Sequence, residues 1–167
     1  MHSYNFKPTI LLIVSAFEKE KDISMFVKKK FMTFITLENQ IAATIEKVWQ
    51  SFTTAAHVMH WNFASDDWHC PKASNELKIG GEFHYTMAAK DNSMEFDFWG
   101  TFTQIEENKY LEMVLGDGRN MQVYFEAQGP NTMVKELFEP ESQNSHELQK
   151  TGWQMILDNF KKYVEGR

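Results

Sequence analysis

The chain has 167 residues, 43% hydrophobic and 14% aromatic, which is enough apolar material for one good core. Its formal charge of -6 argues against a nucleic-acid-binding surface, because phosphate affinity rests on clustered Lys and Arg and the one such cluster is Lys28 to Lys30. The single cysteine, Cys70, cannot form an internal disulfide and fits a reducing, cytoplasmic compartment.

In chain order, residues 1–31 do not resemble the rest. The apolar run Ile10 to Phe17 is shorter than the roughly 20 residues that span a bilayer. Val14, Ser15 and Ala16 faintly suggest a leader cleavage site, but Lys7 is the only positive charge ahead of the run and Pro8 interrupts its approach. We read residues 1–31 as a poorly ordered N-terminal extension outside the core, and residues 32–167 as one domain. That domain opens with strand-like TFITLENQI. Thr44 is placed to cap a helix whose apolar side is Ile45, Val48, Trp49 and Phe52, and Thr54 to cap a second, short one through Trp61. Asn62 to Asp67 reads as loop. Six strand-like runs follow, Trp68 to Ile79, Glu82 to Ala89, Met94 to Ile105, Tyr110 to Leu115, Arg119 to Ala127 and Thr132 to Phe138, separated by turn residues such as GDG and QGPN.

The last segment, HELQKTGWQMILDNFKKYVEGR, reads as a long helix. Leu148, Gly152, Ile156, Phe160 and Val164 recur every four residues, with Trp153 and Leu157 beside them, and this spacing predicts a buried stripe from Leu148 onward. Glycine inside a helix costs about 1 kcal/mol relative to alanine, so Gly152 marks either close helix-on-sheet packing or space left for a cavity. The order is strand, two short helices, a run of antiparallel strands and a long helix, an α+β arrangement with helices segregated from the sheet.

The ordered set KVW with Phe52 and Thr53, Trp61, KIGGEF at Lys78 to Phe83, Gly100, FEPE at Phe138 to Glu141 and GW at Gly152 and Trp153 resembles the SRPBCC superfamily. Within it, the chain is similar to bacterial proteins related to the C-terminal domain of activators of the heat-shock-protein-90 ATPase. The resemblance covers roughly residues 33–165. It implies the helix-grip fold, also described as START/Bet v 1-like, in which a curved antiparallel sheet wraps a long C-terminal helix around a cavity. The fold hosts carriers, receptors, cyclases and co-chaperone modules alike, so it does not fix a function.

Candidate site residues follow from the alternation. Phe83, Tyr85 and Met87 share one face of their strand, and Phe96, Phe98, Gly100 and Phe102 one face of the next, with Trp99 on the opposite parity. Ten Met and 14 Phe make an adaptable interior suited to an irregular core or an apolar ligand. Trp61, Trp68, Tyr85, Phe98, Trp99, Glu136 and Trp153 are the candidate ligand-binding residues. Glu136 shares parity with Val134 and Phe138; facing inward it needs a partner or a ligand, and facing outward it belongs to a solvated row. Asp67, His69 and Glu136 are the acid–base candidates for an alternative enzymatic reading of cyclase, dehydratase or hydrolase type. His57, His60, His69 and Cys70 are the zinc-type residues, but adjacent His69 and Cys70 point to opposite sides of a strand and cannot both join one site, so no metal or other cofactor is expected. The expected partner is a small apolar or amphipathic molecule, without nucleic acid or a membrane span. A homodimer and, more weakly, a chaperone partner are also compatible with the chain.

Overall fold

Strict alternation in most strands decides which side of the sheet closes. Residues 34–166 are described by a computed structural model; the reading of residues 1–31 as an extension lies outside the described residues. Seven strands are present among them: β1 (Ile35–Ile41), β2 (Trp68–Asn75), β3 (Glu82–Ala89), β4 (Glu95–Glu106), β5 (Tyr110–Leu115), β6 (Asn120–Gln128) and β7 (Asn131–Phe138). Helices α1 (Ile45–Thr53) and α2 (Ala55–Val58) follow β1, and α3 (His146–Glu165) ends the domain. β7 alternates perfectly, burying Thr132, Val134, Glu136 and Phe138. β5 and β6 bury Leu111, Met113, Leu115, Met121, Val123 and Phe125 on the same side.

The strands form one antiparallel sheet in the order β1-β7-β6-β5-β4-β3-β2. Strands β2 to β7 are a chain of neighbours, as their short turns dictate, whereas β1 returns to pair with β7, from Ile35 opposite Phe138 to Ile41 opposite Thr132. The sheet curls into a half-barrel around α3, which is the expected helix-grip architecture. Two side-chain bonds tie β1 and its exit to the helix: Asn39 Nδ2 donates to Asp158 Oδ1 at 2.8 Å, and the Ala42 amide to Glu165 Oε1 at 2.8 Å.

The helix turns most of the expected stripe inward, with Leu157, Phe160 and Val164 buried and Trp153 and Ile156 packed against the core, but the stripe does not begin at Leu148. Its buried residues are Gln149, Leu157, Phe160 and Val164, and Leu148 is 60% exposed. A repeat of four residues on a 3.6-residue turn advances by about 40° per step, so Leu148 and Phe160 cannot share a side. Large rings set the rotation. Trp153 stacks on Phe138 with centroids 4.3 Å apart and meets Phe98 edge-on at 5.4 Å, while Phe160 sits between Phe52 at 5.3 Å and Trp61 at 4.8 Å. A Cβ built on Gly152 meets nothing within 4 Å, so this glycine marks space and not close packing.

Smaller differences have local causes. β2 ends at Asn75 and not near Ile79, because the Lys78 amide turns back to the Glu76 carbonyl and Gly80 takes a φ of 79°. Neither Thr44 nor Thr54 makes a side-chain cap. Ser145 does cap α3, its Oγ accepting from the Leu148 amide at 3.2 Å. The second helix is a single turn, ending at Val58.

Candidate functional site

Between the concave face of the sheet and the helices lies a cavity of about 410 Å³. Its wall is largely aromatic and sulfur-bearing: Phe52 and Trp61 from the α1–α2 region, Phe83, Tyr85 and Met87 from β3, Phe98 and Phe102 from β4, Met113 and Met121 from β5 and β6, and Trp153 and Ile156 from α3. Gly100 makes part of this wall possible. A Cβ there would meet the Phe83 ring at 2.8 Å and the Val114 carbonyl at 2.7 Å, so only glycine lets that ring lie across β4.

Five of the seven ligand-binding candidates, Trp61, Tyr85, Phe98, Glu136 and Trp153, line this cavity. Trp68 and Trp99 are not in its lining. Trp99 follows Phe98 directly, and the two-residue period of a strand sends it to the outer face. There it is 37% exposed and stacks on His84 at 5.7 Å and 7°. His84 lies 2.6 Å from Asp97 and 3.3 Å from Glu82, and these carboxylates, Asp97 first, raise the imidazole pKa above its usual range. Trp68 is half-buried at the start of β2, edge-on to Phe96 with centroids 5.9 Å apart.

The acid–base candidates do not meet. Asp67 is exposed and its carboxylate accepts from Ser65 Oγ at 2.5 Å; His69 pairs across β2 and β3 with Ala88; neither lines the cavity that holds Glu136. The zinc-type residues are likewise dispersed. His57 Nδ1 lies 2.7 Å from the Tyr163 hydroxyl, and His60 stacks on the same ring. Cys70 is buried, its Sγ against the Lys72 carbonyl at 3.4 Å, and burial pushes its thiol up to about 11.

Glu136 is the unusual group in the wall. Its register neighbours are Leu37 on β1 and Val123 on β6, both fully enclosed and apolar. No hydrogen bond or ion pair reaches its carboxyl among the described residues, and burial alone pushes that carboxyl from its ordinary 4.5 up to about 8. Across the cavity, Asn75 Nδ2 donates to the Thr53 carbonyl at 2.6 Å and to the Tyr85 hydroxyl at 3.3 Å, while Asn75 Oδ1 is buried without a partner. Burial raises the Tyr85 phenol above its usual value.

Arg119, Glu141 and Asn144 belong both to this lining and to an adjoining hollow of about 270 Å³ that also takes in Leu148, Gly152 and Trp153, so the two spaces share a mouth. Buried Gln149 fixes one lip of it: its Oε1 accepts from the Glu141 amide at 2.9 Å, and its Nε2 donates to the Glu141 and Asn144 carbonyls at 3.1 and 2.8 Å. Arg119 is held by Asp117 at 2.8 Å and donates to the Glu139 carbonyl at 2.9 Å. The Glu141 carboxylate accepts from the Gln143 and Asn144 amides, the Gln143 bond first, which holds its pKa below the usual range. Sequence reasoning passed over Asn75, Phe52, Met113 and Met121. Alternation in β5 and β6 carried a signal for the two methionines; nothing in the sequence marked Asn75.

The family model for activator of Hsp90 ATPase homolog 1-like proteins matches residues 42–165. The chain belongs to this AHSA1 family. The family is a branch of the SRPBCC superfamily, as the sequence resemblance implied. An AHSA1-like protein of Aeromonas hydrophila is 42% identical over 80% of this chain and 93% of its own, with a TM-score of 0.76. A Cytophaga hutchinsonii protein is 48% identical over 80% of this chain and 92% of its own, with a TM-score of 0.70. A Chromobacterium violaceum protein, 16% identical over 80% of this chain and 98% of its own, shares the fold alone with a TM-score of 0.72. No curated protein matches the chain. The AHSA1-like fold is commonly a ligand-binding one. Among the described residues no helix is long and apolar enough to cross a membrane.

Proposed function

We propose that this AHSA1-family protein binds a small, largely apolar molecule in the cavity between its sheet and α3. The observation that carries the reading is a chamber of about 410 Å³ walled by aromatic and methionine side chains and holding one buried, unpaired carboxyl, Glu136. Ligand sites characteristically combine an apolar wall with a few converging polar groups. A core built only for stability would fill such a volume, since empty space forfeits dispersion contacts. Acid–base catalysis has less support, because Asp67 and His69 lie outside the lining and leave Glu136 without an imidazole beside it. Modulation of a chaperone ATPase, which the family description invites, has no separate support in the geometry.

Tryptophan emission tests this reading, because Trp61 and Trp153 both lie in the wall. A hydrophobic fluorescent probe should quench that emission saturably, and Trp153→Ala or Tyr85→Ala should weaken its binding by about tenfold or more, whereas Asp67→Asn and His69→Ala leave it unchanged. Saturable binding indifferent to every wall substitution would sink the cavity assignment.

A further inference from the structure

The wall of the cavity is short of donors. Among the described residues no protein group reaches the Glu136 carboxyl, and Asn75, whose amide nitrogen is committed to Thr53 and Tyr85, keeps a buried Oδ1 without a donor. Among the same residues no lysine or histidine lines the chamber, and the guanidinium in the lining, Arg119 at the mouth, is engaged by Asp117 and by the Glu139 carbonyl. Arg119 also helps to lower the pKa of the Glu141 carboxylate at that mouth, so neither charge there stands alone.

We propose that the molecule taken up is an apolar amine, its ammonium group paired with the Glu136 carboxylate and its hydrocarbon body lying among the aromatic rings. This rests on the cavity-binding reading above and adds the class of ligand. An ammonium brings three donors and no acceptor, the complement of Asn75 Oδ1 and of the Glu136 carboxyl once it has released the proton it keeps up to about pH 8. Trp153, Phe98 and Tyr85 line the same chamber, and an aromatic ring attracts a cation placed over its face. Above about pH 8 a carboxylic acid ligand sets a second negative charge beside ionised Glu136, and repulsion works against it. A neutral alcohol satisfies one hydrogen bond and gains no counter-charge when Glu136 ionises.

Octylamine, octanol and octanoic acid share a tail and differ in the head, so titrating each into the full chain by calorimetry at about pH 9, where Glu136 is ionised, isolates the preference. Octylamine is expected to bind at least about tenfold more tightly than octanol, and octanoic acid more weakly than either. Glu136→Gln should erase the amine's advantage over octanol. The wild-type protein supplies an independent arm through pH. Pairing with an ammonium ionises Glu136, whose carboxyl stands at about 8, so octylamine affinity should rise by about tenfold per pH unit below that value and then level off. Tyr85 is shifted up and Glu141 is shifted down, so neither imitates this. Octanol or octanoic acid binding as well as the amine, or an amine preference that survives Glu136→Gln, overturns the amine assignment and leaves cavity binding standing. Failure of all three probes to bind overturns both.

Discussion

Glu136 shows what a single buried carboxyl does to a fold that does not pair it. In the unfolded chain it ionises near its ordinary 4.5, whereas in the folded protein burial holds it protonated up to about 8. A folded pKa above the unfolded one means that stability is fully present below pH 4.5 and is lost as pH rises through about 8. The loss expected across that window is on the order of 4 kcal/mol. Glu136→Gln keeps the shape and removes the titration. Urea denaturation at about pH 5 and about pH 8 should therefore show the two proteins closer at the lower value and the variant ahead at the higher one. Parallel pH profiles for the two proteins would mean that this carboxyl reaches water or a partner in the folded state.

Among the elements, α3 separates what periodicity tells from what it leaves open. That a helix forms here and that it lies on the sheet were legible from the apolar repeat, whereas the Ser145 cap that starts it shows only in the structure. Which residues of its first turns face inward was not legible, because a four-residue spacing drifts around the helix, so that Leu148 falls outside while Phe160 and Trp153 take their positions from Phe52, Trp61 and Phe138, far away in sequence. The same limit applied to the site. Strand parity marked Tyr85 and Phe98 as sharing an interior, and it should also have excluded Trp99, one residue on; it left Glu136 open between two faces until the curl of the sheet enclosed it. Asn75 gained its place only from the Thr53 carbonyl and Tyr85 hydroxyl that hold it. The observed rotation predicts a sharp contrast by chemical denaturation. Phe160→Ala, at a fully buried position, should cost about 3–5 kcal/mol. Leu148→Ala, at a position 60% exposed, should stay within about 0.5 kcal/mol of wild type. Gly152→Ala should stabilise by about 0.5–1 kcal/mol, since a Cβ there meets nothing and the helix gains propensity. Comparable losses at Leu148 and Phe160 would mean that the buried stripe does begin at Leu148.

At the scale of the whole molecule, the sheet closes with residues that begin at Ile35. β1 is one edge, and its inward Ile35, Leu37 and Ile41 are buried against the core, while Asn39 and the Ala42 amide are bonded to α3. The Aeromonas hydrophila and Cytophaga hutchinsonii relatives match 80% of this chain while using 93% and 92% of their own lengths, so the fold is assembled there by a domain of about this size. The sequence of residues 1–31 lacks the alternation that β1 to β7 display and offers no helical stripe to match that of α3. From this we expect a chain starting at Met32 to fold with a melting temperature within about 2 °C of the full chain, because termini that add no buried surface contribute little to stability. Calorimetry on both chains measures this directly. A fall of several degrees, which for a domain of this size corresponds to a kcal/mol or more, would assign the first residues a share of the core.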